Sequence, residues 1–117
     1  MLGVSLGQQG EAVAVQHLLQ QKFVIVAKNY RCPIGEIDLV ARQGRTLHFI
    51  EVKTRSSVRF GRPAEAVNPA KQHKLRQLAL YYTAKVHHEG PVDFGVVEVL
   101  YDDDTANPEV NFILGAF

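Results

Sequence analysis

The sequence predicts an α/β domain built on a central mixed β-sheet flanked by helices, and three observations carry that reading. Polar and apolar residues alternate on both sides of Gly44, the mark of an antiparallel hairpin. A stretch with helical spacing then separates this hairpin from a later apolar strand, so those strands are joined by a crossover. A further helical stretch comes before the first strand, which leaves apolar stripes to cover the sheet.

The elements follow in order. Ser5, with Gln8 three residues on, forms a capping-box pattern that opens a helix running to about Gln21, with Ala12, Val15, Leu18 and Leu19 as its expected apolar stripe. Phe23 to Tyr30 is rich in Val, Ile and Phe and reads as a strand ending near Asn29 and Pro33. Glu36 to Ala41 and Leu47 to Arg55 form the hairpin, and Gly44 is the residue suited to positive φ. Ser56 to Val67 reads as an irregular loop carrying Gly61 and Pro63. Asn68 and Pro69 then supply an N-cap and first-turn pair for a second helix. Its stripe is Leu75, Leu78, Ala79, Tyr82 and Val86, and it ends by Gly90 and Pro91. Val92 to Leu100 reads as a buried strand, Asp102 to Pro108 as a turn, and Val110 to Leu114 as a short last strand.

Residues 1–117 contain no repeat, low-complexity tract or linker, so they are expected to form a single domain. With 46% hydrophobic and 21% charged residues the composition is that of a globular protein. Cys32 is the lone cysteine, which excludes an internal disulfide and a multi-cysteine zinc cluster. No stretch is long and apolar enough to cross a membrane, and Met1 is not followed by a basic segment and an apolar signal core. The expected compartment is therefore the cytoplasm.

A net charge of +1 conceals a segregation. Lys53, Arg55, Arg59, Arg62, Lys71, Lys74 and Arg76 face a single acid, Glu65, in the middle of the chain. From Glu89 onward there are seven acids and no Lys or Arg. A polyanion such as nucleic acid would be steered to the first region and away from the second; an uneven solvated surface is the alternative.

Residues two apart on a strand share a face, so Glu36, Asp38 and Val40 form one set and Glu51, Lys53 and Arg55 another. If Gly44 and Arg45 are the central turn residues, Asp38 lies opposite Glu51. If Gln43 and Gly44 are central, Glu36 does, and Asp38 is one step diagonal. Either register brings carboxylates within roughly 4.5–8 Å. Such a pair repels unless something compensates it. Two acids and the Val52 carbonyl would suit Mg²⁺, with Lys53 beside them to orient water or neutralise charge. A cross-strand salt bridge on a solvated face is the alternative reading of the same residues. Glu11 falls within the stripe of the first helix, so it needs a partner; the metal site, Arg31 and simple exposure at the helix edge are the candidates. His17, His48, His73, His87 and His88 show no ligand spacing and read as structural or surface residues.

An acid, twelve intervening residues and Glu51-Val52-Lys53 resemble the PD-(D/E)xK nuclease superfamily. The runs Gly35-Glu36-Ile37-Asp38-Leu39-Val40-Ala41 and Phe49-Ile50-Glu51-Val52-Lys53-Thr54-Arg55 are similar to its YraN-like branch of predicted endonucleases. Gly7, Gly10-Glu11-x-x-Ala14, Asn29-x-Arg31, Gly61, Glu65-Ala66-Val67 and Lys71 also match that branch, so the resemblance covers nearly the whole chain. It implies a restriction-endonuclease-like fold related to Holliday junction resolvases. It also implies a catalytic set of Glu11, Asp38, Glu51 and Lys53, with Asp38, Glu51 and Glu11 holding Mg²⁺ or Mn²⁺. One departure is Phe94-Gly95-Val96-Val97, where the family pattern has an acid in place of Gly95.

The expected activity is phosphodiester hydrolysis on DNA, with branched or single-stranded recombination and repair intermediates as the substrates the resemblance suggests. Arg31, Arg55, Arg59, Arg62, Lys71 and Lys74 are the expected nucleic-acid contacts, to phosphates rather than bases. Junction-cleaving relatives work as dimers, which extends the expectation to a homodimer. The rival from another class is a non-catalytic nucleic-acid-binding accessory module that keeps the fold.

Overall fold

The computed structural model describes residues 5–56, 68–101 and 107–117. Arg59, Gly61, Arg62, Glu65 to Val67 and the acidic run Asp102 to Asp104 lie outside the described residues. Helix α1 spans Leu6–Gln20 and closes its N-terminus with the expected capping box: Ser5 Oγ accepts from the Gln8 N–H, and Gln8 Oε1 accepts from the Ser5 N–H. The buried face is only partly the expected one, since Leu18 is buried and Val15 packs against the core as expected. Gly10, Ala14 and Leu18 are buried, whereas Ala12 is exposed and Leu19 is 46% exposed. The reason is steric. Gly10 has no Cβ, so α1 packs its backbone directly onto the sheet, and a Cβ at that position would lie 2.9 Å from Thr54 Cβ.

Three antiparallel strands follow, β1 (Val24–Cys32), β2 (Gly35–Gln43) and β3 (Thr46–Arg55). Helix α2 (Pro69–Val86) starts at Asn68, whose side chain accepts from the Lys71 N–H, with Pro69 in the first turn. Leu75, Leu78, Ala79 and Tyr82 form its buried stripe as expected. Val86 does not join them and is 48% exposed, because the helix stops at His87, whose φ of 57° turns the chain away. The crossover through α2 makes β4 (Val92–Leu100) parallel to β3, and β5 (Glu109–Ile113) returns antiparallel to β4. The sheet order is β1-β2-β3-β4-β5, a mixed sheet of the predicted class. Among the described residues no helix is long and apolar enough to cross a membrane.

The helices cover opposite faces. Leu75, Leu78 and Tyr82 of α2 pack on Val40, Leu47, Phe49 and Val96, while Ala14 and Leu18 of α1 pack on Leu39, Ala41, Ile50, Val97 and Val99. Residues Val96 to Leu100 are buried without alternation, as befits a strand covered on both faces. His48 is buried on the α1 side against Phe23, with Nδ1 3.2 Å from Asp93 Oδ2, a structural role as expected. This pair sits at the start of β3 and β4, the opposite end from Glu51 and Lys53.

Candidate active site

The turn decides the register. Gly44 has φ 60° and Gln43 pairs with Thr46, so Gly44 and Arg45 are the central residues of a glycine-first turn. Continued from the pair Leu39↔Ile50, this register sets Asp38 opposite Glu51. The regular ladder stops at Leu39↔Ile50, and the Val52 N–H is instead donated to Asp38 Oδ2 at 2.8 Å. Asp38 therefore reaches across to the backbone of the neighbouring strand and braces the point where the ladder ends.

Strict alternation does not carry through Asp38. Ile37 and Val40 lie in the same core, on the α2 side, whereas Leu39 and Ala41 lie on the α1 side. The adjacent strand shows why. In β1 the register shifts between Ile25 and Ala27, and Asn29, flanked by the pairs Lys28↔Leu39 and Tyr30↔Ile37, has φ 50°. Both strands thus change face at one level, and Asp38 sits there.

Glu51 is 5% exposed, and its Oε2 lies 3.0 Å from Lys71 Nζ and 3.7 Å from Lys53 Nζ. Burial pushes the Asp38 carboxyl above the usual carboxylate range, although the Val52 N–H and the charges of Lys53 and Lys71 oppose the shift. Glu51 is raised by burial and then by the negative charge of Asp38. Lys53 is lowered, by burial first and by the neighbouring Lys71 second. For Lys71, burial acts against the charge, but hydrogen bonding with Lys53 and Glu51 and the charges of both acids outweigh it, so its pKa is raised. Two acids and two ammonium groups thus occupy one partly desolvated patch.

Glu11, Asp38, Lys53 and Arg55 line an open cleft of about 400 Å³ between the start of α1 and the end of β3, together with Ser5, Gly7, Gln8, Val52 and Thr54. Glu51 is buried beside this cleft rather than lining it. Of the partners weighed for Glu11, the structure selects neither Arg31 nor free exposure: Glu11 Oε1 accepts from Asn29 Nδ2 at 2.8 Å. Arg31 pairs with Glu36 at 3.2 Å and is itself largely exposed. Arg55 donates through Nη1 to the Thr54 carbonyl at 3.0 Å and lines the cleft, and Lys74 is exposed on α2.

Lys71, one of the expected phosphate contacts, has its ammonium 3.0 Å from Glu51 Oε2. The available signal was its position three residues after Asn68, which places it in the first turn of α2. Asn29, a strand-end and motif residue in the sequence, has a left-handed φ of 50° and turns its amide toward Glu11. Glu98, counted in the acidic C-terminal run, is buried and stands opposite Lys53 in the β3–β4 register. Gly95 explains the family departure: a Cβ there would come 2.9 Å from Phe112 Cε1, so an acid would be forced into the core beneath β5.

Among the described residues no three His, Cys, Asp or Glu side chains converge to hold an ion by themselves. The residues present nevertheless fit a magnesium-type ion, which commonly rests on one or two carboxylates with water and phosphate oxygens completing its shell. Glu51 is buried and Asp38 half-buried at the cleft, and the pKa of each is raised, the condition a divalent ion relieves.

Comparison with known proteins identifies relatives of the chain and of its fold. The model of the uncharacterised protein family UPF0102 matches residues 10–99. A UPF0102 protein of Geotalea uraniireducens is 45% identical over 114 residues, covering 97% of this chain and 89% of its own. One from Moorella thermoacetica is 46% identical over 112 residues, covering 95% and 93%. Among solved structures, Hjc of Archaeoglobus fulgidus, a Holliday junction resolvase, superposes with a TM-score of 0.51 at 20% identity, over 92% of this chain and 75% of that one. The fold is thus the resolvase, restriction-endonuclease-like fold that the sequence resemblance implied.

Proposed function

The chain belongs to the uncharacterised protein family UPF0102, and from that premise we propose that it is a metal-dependent DNA endonuclease, with branched DNA as its preferred class of substrate. The observation that carries the reading is the placement of Asp38 and Glu51 on adjacent strands with Lys53 and Lys71 around them, at the edge of an open cleft. In this reading Asp38 and Glu51 would hold Mg²⁺ or Mn²⁺ with the Val52 carbonyl, and Glu11, which lines the same cleft as Asp38, would help complete the site. The bound ion would supply positive charge at the phosphate and a more acidic water.

The chain's own residues do the rest. Asp38, tied to the Val52 N–H, keeps its carboxylate fixed, so little reorganisation is needed when a phosphate arrives. Lys53 Nζ lies at the same patch, 3.7 Å from Glu51 Oε2, where its ammonium would orient the attacking water or neutralise the transition state. Arg55 at the cleft rim, with Arg31, Lys74, Arg59 and Arg62, would contact phosphates and so recognise shape rather than sequence. Hjc is a Holliday junction resolvase; the shared fold supports a branched substrate and a homodimer as part of this reading.

One observation favours the accessory-module alternative. Glu51 is already neutralised by Lys71, so the acid pair is compensated without a metal. Cleavage of four-way junction, flap, single-stranded and duplex DNA with Mg²⁺ or Mn²⁺ separates the two readings. The nuclease reading expects cleavage by the wild type that is lost in Asp38→Ala and Lys53→Ala. Salt-dependent binding that survives in both variants, with no wild-type cleavage on any substrate, would establish the module instead.

A further inference from the structure

Lys71 is closer to Glu51 than is Lys53, although Lys53 is only two residues from Glu51 on the same strand: 3.0 Å against 3.7 Å. Its backbone is fixed, since its N–H is held by Asn68 Oδ1 at 2.9 Å in the first turn of α2. A cation in the first turn of a helix opposes the helix dipole, so the helix itself gives it no reason to stay. What retains the ammonium is the buried carboxylate: the Lys71 side chain is 36% exposed and that of Glu51 is 6% exposed, so Lys71 caps Glu51 from the solvent side. Lys71 also lines a groove of about 710 Å³ with Ile34, Ala70, His73, Lys74 and Gln77. The side chain therefore has open room to move into when it leaves Glu51.

We propose that Lys71 is a resident counter-cation of the acid pair, which holds Glu51 in the metal-free protein, gives way to the divalent ion, and then pairs with a backbone phosphate of the DNA. The proposal rests on the metal-dependent reading above and adds the regulation of that site. An ammonium group and a divalent ion that compete for one carboxylate cannot both be bound at full strength, so removing the ammonium must tighten the ion. A phosphate that draws Lys71 away does the same, and by reciprocity the ion strengthens the grip on phosphate.

Titration of the full chain with Mn²⁺, followed by calorimetry without DNA, tests this on four proteins. Lys71→Met is expected to bind Mn²⁺ about tenfold tighter than wild type. Lys85→Met, an equal loss of charge in the last turn of α2, is expected to match wild type, and Glu51→Gln to lose the site. Should Lys71→Met fold poorly, the Lys71 side-chain NMR signals of the wild type supply the second measurement, and they should shift as Mg²⁺ saturates while those of Lys85 stay in place. Equal or weaker Mn²⁺ binding by Lys71→Met, or Lys71 signals indifferent to Mg²⁺, overturns the counter-cation role while leaving the metal site intact. No metal binding by the wild type removes the metal-dependent reading and this proposal with it.

Discussion

Replacing Gly10 by alanine tests the docking of α1, on which the position of Glu11 over the cleft depends. In an isolated helix the change would stabilise by about 0.5–1 kcal/mol, because Gly loses more backbone entropy than Ala. Here the added methyl meets Thr54: it overlaps Oγ1 and lies 2.8 Å from Cγ2 and 2.9 Å from Cβ. Rotation of the Thr54 side chain can move Oγ1 and Cγ2 but not Cβ, so α1 must lift from β3. Overpacking of this kind costs about 1–3 kcal/mol against that gain, a net loss of up to about 2.5 kcal/mol and about 1 kcal/mol at mid-range. For a chain of this length that lowers Tm by about 4–8 °C. Thermal unfolding of Gly10→Ala, Thr54→Ala and the double variant reads it directly. The double variant should recover about 1 kcal/mol relative to the sum of the singles, because Thr54→Ala removes two of the three offending atoms. A Gly10→Ala protein as stable as wild type, with no coupling to Thr54, would refute the close approach of α1 to β3.

Three further outcomes are expected. The pKa values of Asp38 and Glu51 are raised in the fold above their ordinary 3.8 and 4.5, so their protonated forms favour folding, and that contribution is lost as pH rises from these values through the raised ones. Asp38→Asn should therefore flatten the Tm-versus-pH curve above about pH 4 without destabilising at pH 7, and a variant whose curve parallels wild type would contradict the burial of this acid. Asn29→Gly keeps the left-handed backbone and Asn29→Ala does not, so the glycine variant should be more stable by about 1 kcal/mol in denaturant unfolding, while both lose the Glu11 contact and cleave more slowly. For DNA binding, Arg55→Ala should reduce the slope of log K against log salt by about 0.9, one phosphate contact, and an unchanged slope would remove Arg55 from the path of the backbone.

Much of the molecule was legible in the chain. The capping box at Ser5 and Gln8, the Asn68-Pro69 start of α2, and the alternation around Gly44 are local signals, and each forms the element it specifies. Four of the five expected α2 stripe residues, Leu75, Leu78, Ala79 and Tyr82, are buried because apolar residues at helical spacing favour one face, while Val86 falls where the helix ends. The α1 stripe was legible at Leu18 and Val15 but not at Gly10 and Ala14, because the side that docks closest is set by a glycine, which hydrophobic patterning counts as neutral. The pairing of Glu11 was likewise open in the sequence, since it depends on the left-handed Asn29 beside a strand irregularity.

By itself the sequence determined the class of fold and the order of elements, because these follow from short-range patterning. Tertiary structure alone decided which turn residues set the register, that Asp38 leaves the alternation to brace Val52, that Lys71 reaches Glu51, and that Asp93 serves His48 at the far end of the sheet. Those outcomes depend on distances between segments far apart in the chain. Such distances are fixed only when the helices close over both faces of the sheet and the strands are held in one register.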